Sequence, residues 1–158
     1  MALFNVRVYG LLFDEQKRLL VSDEFIRGHY FTKLPGGGLE TGEGTRDCLK
    51  REFMEEAGLV VEVGDHIYTT DFFQISAFNN KDQIISIYYH VKAESPINIK
   101  TTAIPFNFAP QQVADPNGES EVFRWIEWDE LHEGHMSLPI DKVVINLIKE
   151  KQFFGKGG

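Results

Sequence analysis

Three glycines in a row, Gly36-Gly37-Gly38, end seven residues before Thr45, where a segment patterned as a helix begins. A glycine run of this kind marks a sharp bend or a close approach of backbone to something else. Within Thr45–Ala57, Leu49, Phe53 and Ala57 recur every four residues and share one apolar face. Thr45 is placed to cap the start, and Gly58 to terminate the end. Glu52, Glu55 and Glu56 fall at i, i+3 and i+4, so their carboxylates converge on another face. Three like charges so close repel one another unless a cation sits between them or their pKa values rise. No Lys or Arg stands four residues beyond them: positions 56, 59 and 60 are Glu, Leu and Val. That favours a site over a merely solvated charged face, the ordinary reading of a charge run. Hard oxygen donors of this kind suit Mg²⁺, with Mn²⁺ as a substitute, better than zinc.

The flanking segments read mostly as strands. Val6–Phe13 and Arg18–Ser22 are β-favouring runs joined by the polar turn Asp14–Lys17, and Asp23–Tyr30 reads as a polar connection. Beyond the helix, Leu59–Val63, Ile67–Phe73 and Ile84–Lys92 read as strands, the last dense enough in β-branched and aromatic residues to be central. Residues 95–120 show no period; a segment so long suggests a functional loop, a lid, a dimer contact or poor order. Glu121–Trp128 resumes as a strand, Asp129–Leu131 as a short turn, and Asp141–Lys151 as a second helix with Val144, Leu147 and Ile148 on one face. The C-terminal Gly155–Gly158 reads as a frayed end. The fold class expected is α+β, a mixed β-sheet sandwiched between helices, in a single domain spanning residues 1–158.

Charge limits the partners. With 24 acidic and 16 basic residues and no Lys/Arg run, a broad basic face for a nucleic acid duplex is not expected. Residues 40–56 carry six acidic and three basic side chains, and residues 114–133 carry seven and one, so the surplus negative charge lies in these two segments. A phosphate-bearing ligand would arrive there together with a divalent metal. The single cysteine, Cys48, excludes an internal disulfide. No apolar stretch is long enough to span a bilayer and the N-terminus lacks a signal-peptide pattern, so a cytoplasmic protein without membrane contact is expected.

Gly37 is followed after five residues by Glu43, and after seven more by Arg51-Glu52-Phe53-Met54-Glu55-Glu56-Ala57-Gly58-Leu59. This 23-residue stretch resembles the signature of the Nudix hydrolases. The resemblance implies a metal-dependent enzyme that cleaves the pyrophosphate of a nucleoside diphosphate linked to another moiety X, by water attack on phosphorus. Carried over by position, it implies Glu55 and Glu56 as metal ligands with the Gly36 carbonyl, and Glu52 as a further ligand or the general base. Gly37, Glu43 and Gly58 are then structural parts of the motif. Arg51 would serve the catalytic site by holding Glu43 in a bidentate pair, which its planar guanidinium suits. A further base outside the signature is expected near Trp125; Glu119 and Glu121 are both candidates, with Glu119 preferred for its freer loop position.

Substrate choice is weakly written. Phe31 could stack on a base, though a core aromatic is the commoner role, and Arg7, Arg27 and Lys33 are the cations that could meet phosphate. A small nucleotide is expected, foremost a nucleoside triphosphate or oxidised nucleotide, with ADP-ribose or another nucleotide sugar as the alternative. Phe72-Phe73-Gln74-Ile75 stands where ADP-sugar-cleaving members tend to carry a proline, and the tyrosine of dinucleoside polyphosphate members is not evident. A non-catalytic, ligand-sensing domain is the alternative from another class, disfavoured by the intact glutamates. His132 and His135 read as exposed turn residues, and Cys48 as buried and inert.

Overall fold

Successive residues of the longest strands face opposite ways, and that alternation sets the architecture. A computed structural model describes residues 1–94 and 96–152. Ser95 and residues 153–158, which include the glycine-rich end read as frayed, lie outside the described residues. Strand β1 (Phe4–Leu12) sends Val8 and Leu12 into one apolar cluster, and Tyr9 and Leu11 into another. β2 (Arg18–Ile26) does the same with Leu20 against Leu19 and Val21. Helix α1 (Thr45–Ala57) closes the first cluster with Cys48, Leu49 and Phe53. Helix α2 (Pro139–Lys151) closes the second with Ile140, Val144, Ile145 and Ile148. The β-structure is thus held between two helices, the α+β arrangement expected.

Among the described residues, the strands divide between two four-stranded sheets. In one, β1 pairs antiparallel with the short β4 (Gly36–Gly38) and parallel with β6 (Gln83–Ala93), which also pairs antiparallel with β5 (Val61–Thr69). In the other, β2 lies between β3 (His29–Lys33) and β8 (Glu119–Glu127), and the two-residue β7 (Thr101–Thr102) runs parallel to β8. β6 sits inside its sheet, as its composition predicts.

Several sequence expectations need correcting. Asp23–Tyr30 is not a loop: β2 continues to Ile26, turns at Arg27-Gly28, where both residues have positive φ, and returns as β3. The acid inside this strand is tolerated because Asp23 is fully buried against Arg124, with Nε–H and Nη2–H donating to its two oxygens at 2.8 and 2.9 Å. The Thr32 hydroxyl donates to the same carboxylate at 2.7 Å. β5 is one strand, where two were expected, because irregularities at Val63–His66 and His66–Tyr68 absorb the break that Gly64 suggests. Gly44, not Thr45, occupies the cap position of α1, and the Thr45 hydroxyl lies 2.7 Å from the Tyr89 hydroxyl. Gly58 does terminate the helix, in the left-handed conformation at φ 65°.

Residues 96–120 are anchored to the second sheet. β7 pairs with β8, the Phe106 amide donates to Asp23 at 3.2 Å, and the Phe106 and Phe108 rings pack on Tyr30. Among the described residues, no helix is long and apolar enough to cross a membrane.

Candidate active site

The glycine turn is the floor of the site. β4 pairs with β1 so closely that Gly36, at φ 148°, leaves no room for a side chain: a Cβ there would overlap the Val8 carbonyl oxygen. At Gly37 the obstacle is the Glu52 carboxylate, whose atoms lie 2.5–2.7 Å from where a Cβ would stand. Because α1 is docked through Leu49 and Phe53, its acidic face stands over this turn.

Arg51 organises the rim. Its Nε–H and Nη2–H donate to the two oxygens of Glu43 at 3.0 and 2.7 Å, the bidentate pair expected from the sequence. Nη2–H also donates to the Gly38 carbonyl at 3.1 Å, and Nη1–H to Glu52 and Glu55 at 3.0 and 3.2 Å. Arg51 thus compensates two of the three helix glutamates from their N-terminal side, a pairing missed by looking only beyond them. Hydrogen bonds from Arg51 hold the Glu43 carboxyl down at about 2. The Cys48 thiol, buried beneath, is pushed up to about 12, as suits an inert cysteine.

Inside the rim the carboxylates crowd. Desolvation, then repulsion from Glu121 and Glu52, raises the Glu56 carboxyl to about 9. Glu56 is solvent-exposed as a whole residue, so repulsion is the firmer of these causes. Burial raises Glu121 to about 7, partly offset by the Ser22 hydroxyl. Glu55, 59% exposed, turns to Arg51 instead. Glu119 stands exposed at the start of β8 opposite Ile26, whereas Glu121, two residues on, reaches the cluster. Among the described residues, no three His, Cys, Asp or Glu side chains form a ready-made metal cage. The donor chemistry nevertheless fits a hard divalent ion: the carboxylates of Glu52, Glu56 and Glu121 repel one another, and no Lys or Arg makes an ion pair with Glu56 or Glu121 among the described residues.

The cations are unequal. Lys33 is buried in a salt bridge with Glu24 at 3.2 Å. Arg7 donates to the Tyr9 hydroxyl at 2.6 Å and feels the charge of Glu52 and Glu24. Arg27 lies on the exposed β2–β3 turn, its amide on Gly118. Phe31 packs on Phe78, the ring centroids 5.2 Å apart. His132 and His135 stack at 4.2 Å in a short 3₁₀ turn, each with Nδ1 accepting a backbone N–H.

Arg7 and Tyr9 also line a small cleft, open at its mouth, with Asn5, Phe78, Ile84 and Asp141. Asp141 is fully buried, and one oxygen accepts from the Tyr88 hydroxyl at 2.6 Å. Burial pushes this carboxyl up to about 6. Sequence reading missed Asp141 as a site residue, because at the start of α2 it looks like an ordinary first-turn acid. It also missed Glu24 and Ser22, which no local pattern distinguishes.

A Nudix-domain family model matches residues 3–147. Solved structures with the same fold include the E. coli ORF135 protein, at TM-score 0.68 and 14% identity, covering 99% of this chain and 96% of that one. The MutT protein of Methanosarcina mazei matches at 0.64 and 16%, covering 96% and 97%. An ADP-ribose pyrophosphatase of Streptococcus suis matches at 0.58 and 18%, covering 94% and 92%. With the signature laid over its glycine floor, the domain match running nearly end to end and the fold shared with these structures, the chain belongs to the Nudix hydrolase family.

Proposed function

We propose that this protein hydrolyses the pyrophosphate linkage of a small nucleotide, foremost a nucleoside triphosphate or oxidised nucleotide. The observation that carries this is the joining of two features by Arg7. On one side is the carboxylate cluster over Gly37; on the other is a cleft bordered by the Phe78 ring. Glu52 and Glu56, with the Gly36 carbonyl and with Glu55 once released from Arg51, would hold Mg²⁺, and Mn²⁺ could substitute. When bound, such an ion neutralises phosphate charge and makes water a better nucleophile. Glu121 is the base that takes the proton from the attacking water, since it lies in the cluster where Glu119 does not. Arg51 fixes Glu52 and ties Glu43 to the turn. Arg7 is the cation placed to meet a phosphate between cluster and cleft.

In the cleft, the half-exposed Phe78 offers a ring for stacking. An ADP-ribose or other nucleotide-sugar substrate is the second reading, supported by the fold shared with the Streptococcus suis enzyme. A panel of nucleoside triphosphates, oxidised nucleotides, ADP-ribose and sugar nucleotides with Mg²⁺, read by product identification, separates the readings. Nucleoside monophosphate released from a triphosphate supports the first. Turnover of ADP-ribose alone would replace it with the second, and no turnover of any member would leave the sensing domain.

A further inference from the structure

Glu24 on β2 and Glu121 on β8 stand directly opposite each other in the antiparallel ladder. Like charges so placed destabilise a sheet, and a fold keeps such a pair only where something compensates it. Two groups do so. Lys33, 5% exposed, holds one Glu24 oxygen at 3.2 Å. The fully buried Ser22 hydroxyl lies 3.0 Å from the other Glu24 oxygen and 2.6 Å from Glu121 Oε2. Leu20, Ser22 and Glu24 alternate onto the side of the sheet that faces α1, because Leu20 belongs to the cluster closed by that helix. Phe123 belongs to the same cluster and fixes the same orientation for Glu121. The chain of contacts therefore runs from Lys33 through Glu24 and Ser22 to Glu121, and so to the repelled Glu56.

We infer that Ser22 and Glu24 are positioning residues for hydrolysis, which hold the Glu121 carboxylate against α1 in the one rotamer that reaches the reacting water. The inference rests on the reading of Glu121 as the base. Without Ser22, Glu121 loses its short hydrogen bond and is left facing the carboxylates of Glu24 and Glu56, which drive it away from the cluster. Without Glu24, the Ser22 hydroxyl loses a neighbour that limits its rotation, and Lys33 is left buried and unpaired. Lys33 is then a structural counter-ion and not a phosphate contact.

The test uses steady-state kinetics on the best substrate of the panel, with Ser22→Ala, Glu24→Ala, Glu24→Gln and Glu121→Gln, and with melting temperature as a control for folding. Supporting groups around a site usually contribute about 10–100-fold, so Ser22→Ala and Glu24→Ala should each lower kcat by that factor while KM moves by no more than about threefold. Glu24→Gln keeps a polar neighbour for Ser22, its amide N–H able to donate to the hydroxyl oxygen while the hydroxyl donates to Glu121, and should recover most of kcat, which a purely electrostatic role for Glu24 would not allow. Should Glu24→Ala fail to fold, Ser22→Ala carries the test alone, since removing one hydroxyl leaves the packing nearly intact. If Glu121→Gln is inactive while Ser22→Ala and Glu24→Ala turn over at the wild-type rate, the positioning role is wrong and the base assignment stands. If Glu121→Gln retains full activity, the base assignment itself fails, and this inference with it.

Discussion

Replacing Gly37 with Ala and Gly36 with Ala should give two different kinds of failure, although the residues are neighbours. At Gly37 a new Cβ would lie 2.5–2.7 Å from the Glu52 carboxylate. Ordinary contact begins near 3.4 Å, so the carboxylate must retreat by roughly 0.7–0.9 Å. It is the end of a flexible side chain, so the fold can yield at about 1 kcal/mol, a fall of about 2–4 °C in Tm. A displacement of about 1 Å in a catalytic constellation lowers rates by about 100-fold. Gly37→Ala should therefore fold, and lose about two orders of magnitude in kcat/KM together with weakened Mn²⁺ binding. At Gly36 the obstacles are the Val8 carbonyl and the Tyr9 Cα, which cannot swing aside, and the backbone is at φ 148°. Gly36→Ala should cost about 3 kcal/mol or more and lower Tm by at least about 6 °C. The assays are thermal melting, Mn²⁺ titration by electron paramagnetic resonance, and kinetics on purified variants. Gly37→Ala with wild-type kcat/KM and Mn²⁺ affinity would refute the claim that Glu52 must lie over the turn.

Further outcomes follow from the same contacts. Glu121 and Glu56 have raised carboxyls, so each contributes stability that is full below the ordinary value of 4.5 and is lost as pH rises through about 7 and about 9. The metal-free protein should melt at falling temperatures from pH 5 to pH 9, and the rise in Tm produced by Mg²⁺ should grow over that range; an increment independent of pH would contradict the crowding of these carboxylates. Arg51→Lys cannot serve Glu43, Glu52, Glu55 and the Gly38 carbonyl together, so it should lose most activity despite keeping the charge; kinetics near wild type would mean that charge alone suffices. Arg124→Ala leaves Asp23 buried without its ion pair and should cost about 3–5 kcal/mol in chemical denaturation, while an unchanged midpoint would show that water replaces the arginine.

What the sequence disclosed and what it hid have a common physical cause. The α1 segment is legible because its determinants are local: an apolar face every four residues, carboxylates at i, i+3 and i+4, and a glycine stop all lie within three turns of each other. The Arg51–Glu43 pair was legible for the same reason, at a separation of eight residues. Asp23 reads as loop because its partner, Arg124, lies 101 residues away, and nothing near Asp23 announces a buried counter-ion. Ser22 bonds Glu121 across 99 residues and was equally invisible. The preference for Glu119 rests on a loop that is in fact the start of β8; Glu119 and Glu121 share a strand and a parity, and only Glu121 is partly buried and held by Ser22. The division into two sheets depends on which strand pairs with which, and composition carries almost no information on that.

The central claim is that the carboxylates gathered over the glycine turn hold the divalent ion on which anhydride hydrolysis depends. Its most direct measurement compares wild type with Glu56→Gln, following Mn²⁺ binding and Mg²⁺-dependent product release on the same preparations. Loss of both in a variant whose melting temperature is undiminished is the expected result. Wild-type turnover by Glu56→Gln, or undiminished turnover by the wild type with all divalent ions chelated, would contradict it.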